Sequence, residues 1–354
     1  LNSLVFLKKL DESFLKYVQD SDSELCAHLQ EYRAQPSGID EKKYSEFLVK
    51  LAPLLDDFLA EFFAIEQENF ALQKEHEKFD EVYECRRKFI QRYVVKKYKG
   101  EEIEKFDFGS ISTNLQKIIG PITEQKLAAS ILKWQIDPEQ YEISLEIAAK
   151  YCACMIHNHS KLMLFDIPMP KQNIREHRIA ALKKDIVLGF DYRDQEQTLD
   201  KAFAHSKYCI YCHHQEKDYC SKGIDEEKKG CPLKQKISEM HLLKSRGLNI
   251  AALGVIMIDN PLVPITGHRI CNDCMKSCIY QKQDPVNTPL VESNILSQIL
   301  SLPFGVEIYL LLSKWNPLNI SAPLPKEPTG KNVLVVGLGP AGFALSHYLL
   351  NEGH

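Results

Sequence analysis

From Leu4 to about Leu132, apolar residues recur every third or fourth position, as in Phe47, Leu48, Leu51, Leu54, Leu55, Phe58, Leu59, Phe62 and Phe63. A helix of 3.6 residues per turn gathers such positions on one face, so this stretch predicts several amphipathic helices. Breaks fall at Gln35-Pro36-Ser37-Gly38, at Gly100 and at Gly120-Pro121, which is the punctuation of an antiparallel helical bundle. Beyond Pro168 and Pro170 the pattern turns charged and turn-rich. Asn332 to Val336 is different in kind. It is a short valine-rich run suited to a buried parallel strand, and helical spacing resumes over Phe343 to Leu350. The chain is therefore expected to be mainly α, with a helical region over 1–185 and a cysteine-bearing helical domain over 186–320. A proline-bearing linker over 321–331 and the first β-α unit of a Rossmann-like domain over 332–354 would follow.

Composition narrows the function classes. An apolar content of 44% suffices for real cores, and 44 basic against 48 acidic side chains create no strong surface field. Neither nucleic acid nor an anionic membrane surface is an expected partner. No run approaches the roughly 18 apolar residues of a membrane span, and Leu1 to Leu10 lacks a secretory pattern. A cytoplasmic setting is expected. The chain opens at Leu1 and runs twelve residues past Gly342, so it reads as part of a longer protein.

Seven of the eleven cysteines lie between Cys209 and Cys278. Such bunching argues against a secreted disulfide framework and for metal-bound thiolates in a reducing compartment. Cys26 and Cys85 stand alone in helical patterns and read as inert core residues. Cys152, Cys154, His157 and His159 read as a helix with buried cysteines rather than a metal site, because Cys152 and Cys154 would face different sides of one helix. Arg86, Arg87, Lys88, Arg92, Lys96, Lys97 and Lys99 read as a solvated helix face.

The first cysteine group is Cys209-x2-Cys212-x7-Cys220-x10-Cys231-Pro232, and the second is Cys271-x2-Cys274-x3-Cys278. Four thiolates complete the ligand set of one cubane cluster, whereas three need a fourth ligand from elsewhere. Downstream, Gly337-Leu338-Gly339-Pro340-Ala341-Gly342 is a dinucleotide-type turn. Gly337 allows the tight turn, Gly339 the approach of a pyrophosphate and Gly342 the packing of helix on strand. Metal ligands followed by a dinucleotide turn describe electron transfer.

The stretch Ile250 to Cys278, with Asn260-Pro261, Pro264-Ile265-Thr266-Gly267 and Arg269 ahead of Cys271, resembles the α-helical ferredoxin domain of the glutamate synthase small subunit and dihydropyrimidine dehydrogenase. So does the Cys231-Pro232 ending. Pro285-Val286-Asn287 matches the family's step toward a Gln or Glu ligand, and Glu292 stands at that ligand's position. The resemblance implies two 4Fe-4S clusters, one on Cys209, Cys212, Cys220 and Cys231, the other on Cys271, Cys274, Cys278 and Glu292. Gly339-Pro340-Ala341-Gly342, after a linker bearing Pro323, Pro325 and Pro328, resembles the same family's FAD-binding turn. The implied activity is an NAD(P)H-linked, FAD-dependent iron-sulfur oxidoreductase with a redox partner subunit or domain. Its cysteines relay electrons, and no acid-base catalytic residue is implied. This chain departs from the family in a charged insert, Asp225 to Lys229, ahead of Cys231, and in His268 between Gly267 and Arg269. The alternative reading is a zinc-stabilised helical interaction module, in which Cys209, Cys212 and Cys220 join His213 or His214 around one ion.

Overall fold

The apolar stripes fold as their spacing demands. Helix α1, Leu4–Ser21, buries Leu7, Leu10, Phe14 and Val18. Helix α2, Ser23–Ala34, starts at once because the Asp22 carboxylate accepts the Leu25 N–H at 2.9 Å. The break at 35–38 is real, and Asp40 caps the next helix by accepting from Lys43 N at 3.0 Å. Helix α3, Glu41–Phe62, then buries Phe47, Leu48, Leu51, Leu55 and Leu59. Helix α4 spans Glu66–Cys85. The computed structural model describes residues 3–158, 160, 162–167, 198–224, 230–266, 271–281 and 284–354, and among them the regular structure is helical, without a strand.

The chain divides into two compact units, Leu1–Gln73 with Gln195–His354, and Lys74–Asp194. The helical region expected over 1–185 is thereby split: α1 to α3 belong with the cysteine-bearing part. The reason is a shared core. Helix α10, Asn249–Asp259, is apolar on every side, with Ile250, Ala251, Leu253 and Val255 all at 0% exposure, so it must be covered all round. Helix α3 covers it together with α9, Ile237–Ser245, and α11, Thr288–Ser301. One cluster of buried residues runs from Leu7 and Leu55 to Cys220, Cys231 and Cys274. Helix α8, Leu199–Tyr208, and α12, Gly305–Leu312, complete this layer.

Polar clasps fix the arrangement. Arg33 donates twice to Asp11, at 2.7 and 3.0 Å, and the Trp315 indole donates to the same carboxylate at 2.8 Å. Asp56, fully buried on α3, accepts from Asn69 at 2.6 Å and from the Ala251 N–H at the start of α10 at 2.8 Å. Burial raises its carboxyl to about 6.

The second unit holds a π-helical stretch, Arg86–Val94, then α5, Phe108–Ile119, α6, Glu124–Trp134, and α7, Glu142–His157. Phe89, Ile90, Leu115, Ile131 and Ala148 are buried there. Arg86 leaves the expected solvated face: it is buried and donates to the Met163 carbonyl at 3.2 Å. Cys85, Cys152 and Cys154 are buried thiols, all raised by desolvation. His157 is exposed, and His159 lies outside the described residues.

The first unit ends in α13, Pro340–Asn351. The valine-rich run before it forms no strand. Asn332 to Val336 pairs with no strand among the described residues, and Leu334 and Val336 are 88% and 90% exposed. A buried parallel strand needs flanking strands, and the described chain supplies none.

Candidate metal centre

Cys209 is the C-cap of α8, its N–H donating to the His205 carbonyl. Tyr211 follows at φ +51°, in the left-handed region, and turns the chain so that Cys212 opens a short 3-10 turn, Cys212–Gln215. Cys220 lies on the one-turn helix Tyr219–Lys222. The insert expected to push Cys231 away is drawn closed at its base. Cys231 N–H donates to the Cys220 carbonyl at 2.6 Å, and a Cβ on Gly230 would fall 2.3 Å from the Ser221 carbonyl oxygen. Only glycine permits that approach. Residues 225–229 themselves lie outside the described residues, as do Gly267, His268 and Arg269 of the second motif.

The seven cysteines and Glu292 show two sets of electrostatic neighbours. Cys209 lies within electrostatic reach of Cys212 and Cys278, and Cys220 of Cys209, Cys212 and Cys278. Cys231 instead faces Cys271 and Glu292, and Cys274 faces Cys231, Cys271 and Glu292. The quartets are therefore Cys209, Cys212, Cys220, Cys278 and Cys231, Cys271, Cys274, Glu292. Helices α9 and α10 carry the chain away after Cys231 and back before Cys271, and the one-turn helix bearing Cys220 packs against Asp273–Lys276, which bears Cys274.

Backbone amides point at these sulfurs. Tyr211 N–H donates to Cys209, Tyr219 to Cys212, Leu233 and Gln235 to Cys231, and Tyr280 and Val286 to Cys278. Each such bond favours the thiolate form, the form that ligates metal. Burial works against it, pushing Cys209 and Cys274 up to about 12. Cys212 is lowered to about 6 by the hydrogen bond it shares with Cys220, which is raised by the same bond. Sulfurs that collect N–H donors in this way fit metal-bound thiolates. Among the described residues, no group of three or more His, Cys, Asp or Glu side chains is arranged to hold a metal ion.

The second quartet has its own amide frame, which the spacing of the cysteines did not reveal. Glu292 is 5% exposed and accepts from Gln235 Nε2 at 2.9 Å and Asn260 Nδ2 at 3.5 Å. Gln235 in turn accepts from Cys231 Sγ at 3.6 Å. Burial raises the Glu292 carboxyl and the two amides lower it. Cys271 is the exposed member.

The first quartet is framed from outside. Glu239 on α9 is fully buried, and its Oε1 accepts from Ser45 Oγ on α3 and pairs with His213 Nδ1 at 2.5 Å. Ser45 Oγ also meets the Tyr211 hydroxyl at 2.7 Å. Along the same helix, Glu41 pairs with Lys222, Lys42 with Glu216 at 3.3 Å and Glu46 with His214 at 3.4 Å. His213 and His214, candidate zinc ligands in the sequence, pair with carboxylates instead, and nothing in the sequence marks Ser45, Glu239 or the pairs along α3.

At the other motif, Gly337 has φ +101°, and a Cβ on Gly342 would fall 2.1 Å from the Gly337 carbonyl oxygen. The tight turn expected at Gly337 is present, and the close approach at Gly342 is to the carbonyl of that turn rather than to a strand. Gly339 is the N-cap of α13 and makes no side-chain cap, Pro340 and Ala341 open the helix, and residues 337–341 are exposed.

Residues 2–64 match the RP005 N-terminal alpha-helical domain. The chain is 38% identical to the uncharacterized protein RP005 of Rickettsia prowazekii (strain Madrid E) over 281 residues, which is 69% of this chain and 95% of that protein. The chain belongs to the RP005 family. A second relative of this family member, RP006 from the same organism, is 73% identical over 93 residues, 26% of this chain and 13% of its own length. The glutamate synthase [NADPH] small chain of Bacillus subtilis (strain 168) is 33% identical over 140 residues, 38% of this chain, and the chain spans only 25% of that protein. Part of this RP005-family chain is thus similar to an oxidoreductase subunit. No solved structure matches it. No helix among the described residues is long and apolar enough to cross a membrane.

Proposed function

We propose that the chain is an electron-relay module of an NAD(P)H-linked flavin oxidoreductase, with two 4Fe-4S clusters and an FAD at the Gly337 to Gly342 turn. The observation that carries the reading is the pair of neighbouring groups of cysteines, mostly buried, each supplied with N–H groups at the sulfurs or with amides holding the carboxylate. The partial similarity to the glutamate synthase small chain supports the same class.

In this reading, Cys209, Cys212, Cys220 and Cys278 hold one cluster and Cys231, Cys271, Cys274 and Glu292 the other. When bound, the clusters supply one-electron redox chemistry. The chain's own residues do the rest. Backbone N–H groups of Tyr211, Tyr219, Tyr280 and Val286 offset negative charge on the sulfurs, while Gln235 and Asn260 fix the Glu292 carboxylate. The short contact between Cys220 and Cys231 backbones brings the two sites close, which serves transfer between them. Gly339, Pro340 and Ala341 would present the N-terminal amides of α13 to a pyrophosphate. A redox partner subunit or domain would receive the electrons.

The test is iron and acid-labile sulfide analysis with an absorption spectrum on anaerobically purified protein. About eight irons and eight sulfides per chain, with a colour bleached by dithionite, is the expected result. Zinc without sulfide would overturn it.

A further inference from the structure

The domain that gives the family its signature, residues 2–64, has so far only a packing role. The contacts of α3 point to another. Tyr211, between Cys209 and Cys212, is held in the left-handed region, which is strained for a residue with a side chain and persists only where the surroundings enforce it. What enforces it here is a directed chain of donors. A buried carboxylate only accepts, so the single Ser45 proton goes to Glu239 Oε1, and the Tyr211 hydroxyl must then donate to Ser45 Oγ. His213 supplies the second donor to the same oxygen. The residues on both sides of Cys212 are thus tied to one buried carboxylate, one of them through a hydroxyl on α3.

The surrounding ion pairs do not explain this. Glu41–Lys222, Lys42–Glu216 and Glu46–His214 are well exposed, and exposed pairs contribute little. Glu239 is at 0% exposure and Ser45 at 1%, where hydrogen bonds count most and their loss is most costly.

We propose that the RP005 N-terminal helical domain acts as a brace for the first cysteine quartet, with Ser45, Glu239 and Tyr211 as positioning residues that hold the Cys209–Cys212 loop in its ligating shape. The proposal needs the cysteine geometry alone; its consequence for a cluster rests on the function proposed above.

The test uses the full chain and a Ser45→Ala variant, with Ser45→Thr as the conservative control, and reads two things. In metal-free, reduced protein whose helix content matches wild type, alkylation rates are measured cysteine by cysteine with iodoacetamide and mass spectrometry. Ser45→Ala should label Cys209 and Cys212 about fivefold faster while Cys231 and Cys274 keep their rates, and Ser45→Thr should restore the wild-type pattern. In iron-loaded protein, the paramagnetic resonance spectrum of one reduced cluster should change and the other stay. Equal rates in wild type and Ser45→Ala, or acceleration at all seven cysteines together, would overturn the brace. If wild type takes up no iron and sulfide, the cluster reading fails, and the alkylation ratio alone then supports or overturns the brace.

Discussion

The two quartets have similar ligands and are held by different means. The second is framed by neighbours in its own domain, where Gln235 and Asn260 present neutral amides to Glu292, and its Cys271 is open to solvent. The first is framed across the fold, by a buried carboxylate on α9 that reaches the cysteine loop through a hydroxyl on α3. Both frames centre on a buried carboxylate, so in each the removal of one side leaves a buried polar group unpaired; they differ in that only the first reaches across to α3.

The largest effect should come where the quartets touch. Gly230→Ala forces a methyl against the Ser221 and Cys220 carbonyls and should lower stability by about 3 kcal/mol in urea unfolding, with iron lost from both sites. If one site keeps its iron, the quartets are more independent than their shared backbone contact implies. Glu239→Ala strands the Ser45 hydroxyl and the His213 ring and should cost about 2–3 kcal/mol, with loss of about half the iron. A loss shared equally between the sites would erase the contrast drawn above. Glu292→Ala leaves two amide donors unpaired, costs about 1–2 kcal/mol and should spare the first quartet's spectrum.

Helix α9 offers a sharper form of the comparison, because it carries one buried group that is used and one that is not. His241 is 1% exposed, its two ring nitrogens have no hydrogen-bond partner among the described residues, and burial lowers it to about 3. Its folded value lies below the unfolded value of about 6.5, so the unfolded chain binds a proton that the folded chain refuses. Stability is therefore lost as pH falls from about 6.5 toward 3. His241→Leu should raise stability by about 1 kcal/mol at pH 7, and the margin over wild type should widen at pH 5. A margin that stays constant would mean that another group sets the acid limb. The smallest effect belongs to Lys42→Ala, within about 0.5 kcal/mol and absent in high salt.

Much of the helical architecture was legible. The stripes of α1 and α3, the break at 35–38, and the turn at Gly337 and Gly342 all follow from periodicity and from the residues that backbone geometry requires. The strand over Asn332 to Val336 was legible as a preference only, because a strand exists through its neighbours and a helix largely through itself. The membership of α1 to α3 in the cysteine-bearing unit was not legible. It depends on α10 being apolar all round and therefore needing a cover that its own neighbourhood does not fully supply.

The sequence by itself determined which side chains are available for a metal centre, seven clustered cysteines and a glutamate after Pro285-Val286-Asn287. It also determined the local turns, since spacing fixes which donors lie on one loop. Only the tertiary structure set the electrostatic neighbours, Cys278 beside Cys209, Cys212 and Cys220 and Cys231 beside Cys271 and Glu292, and only it brought Ser45 and Glu239 to Tyr211. The physical reason is the same in each case. Spacing along a chain sets distances over one or two turns, whereas contacts between loops dozens or hundreds of residues apart are set by how the helices between them pack.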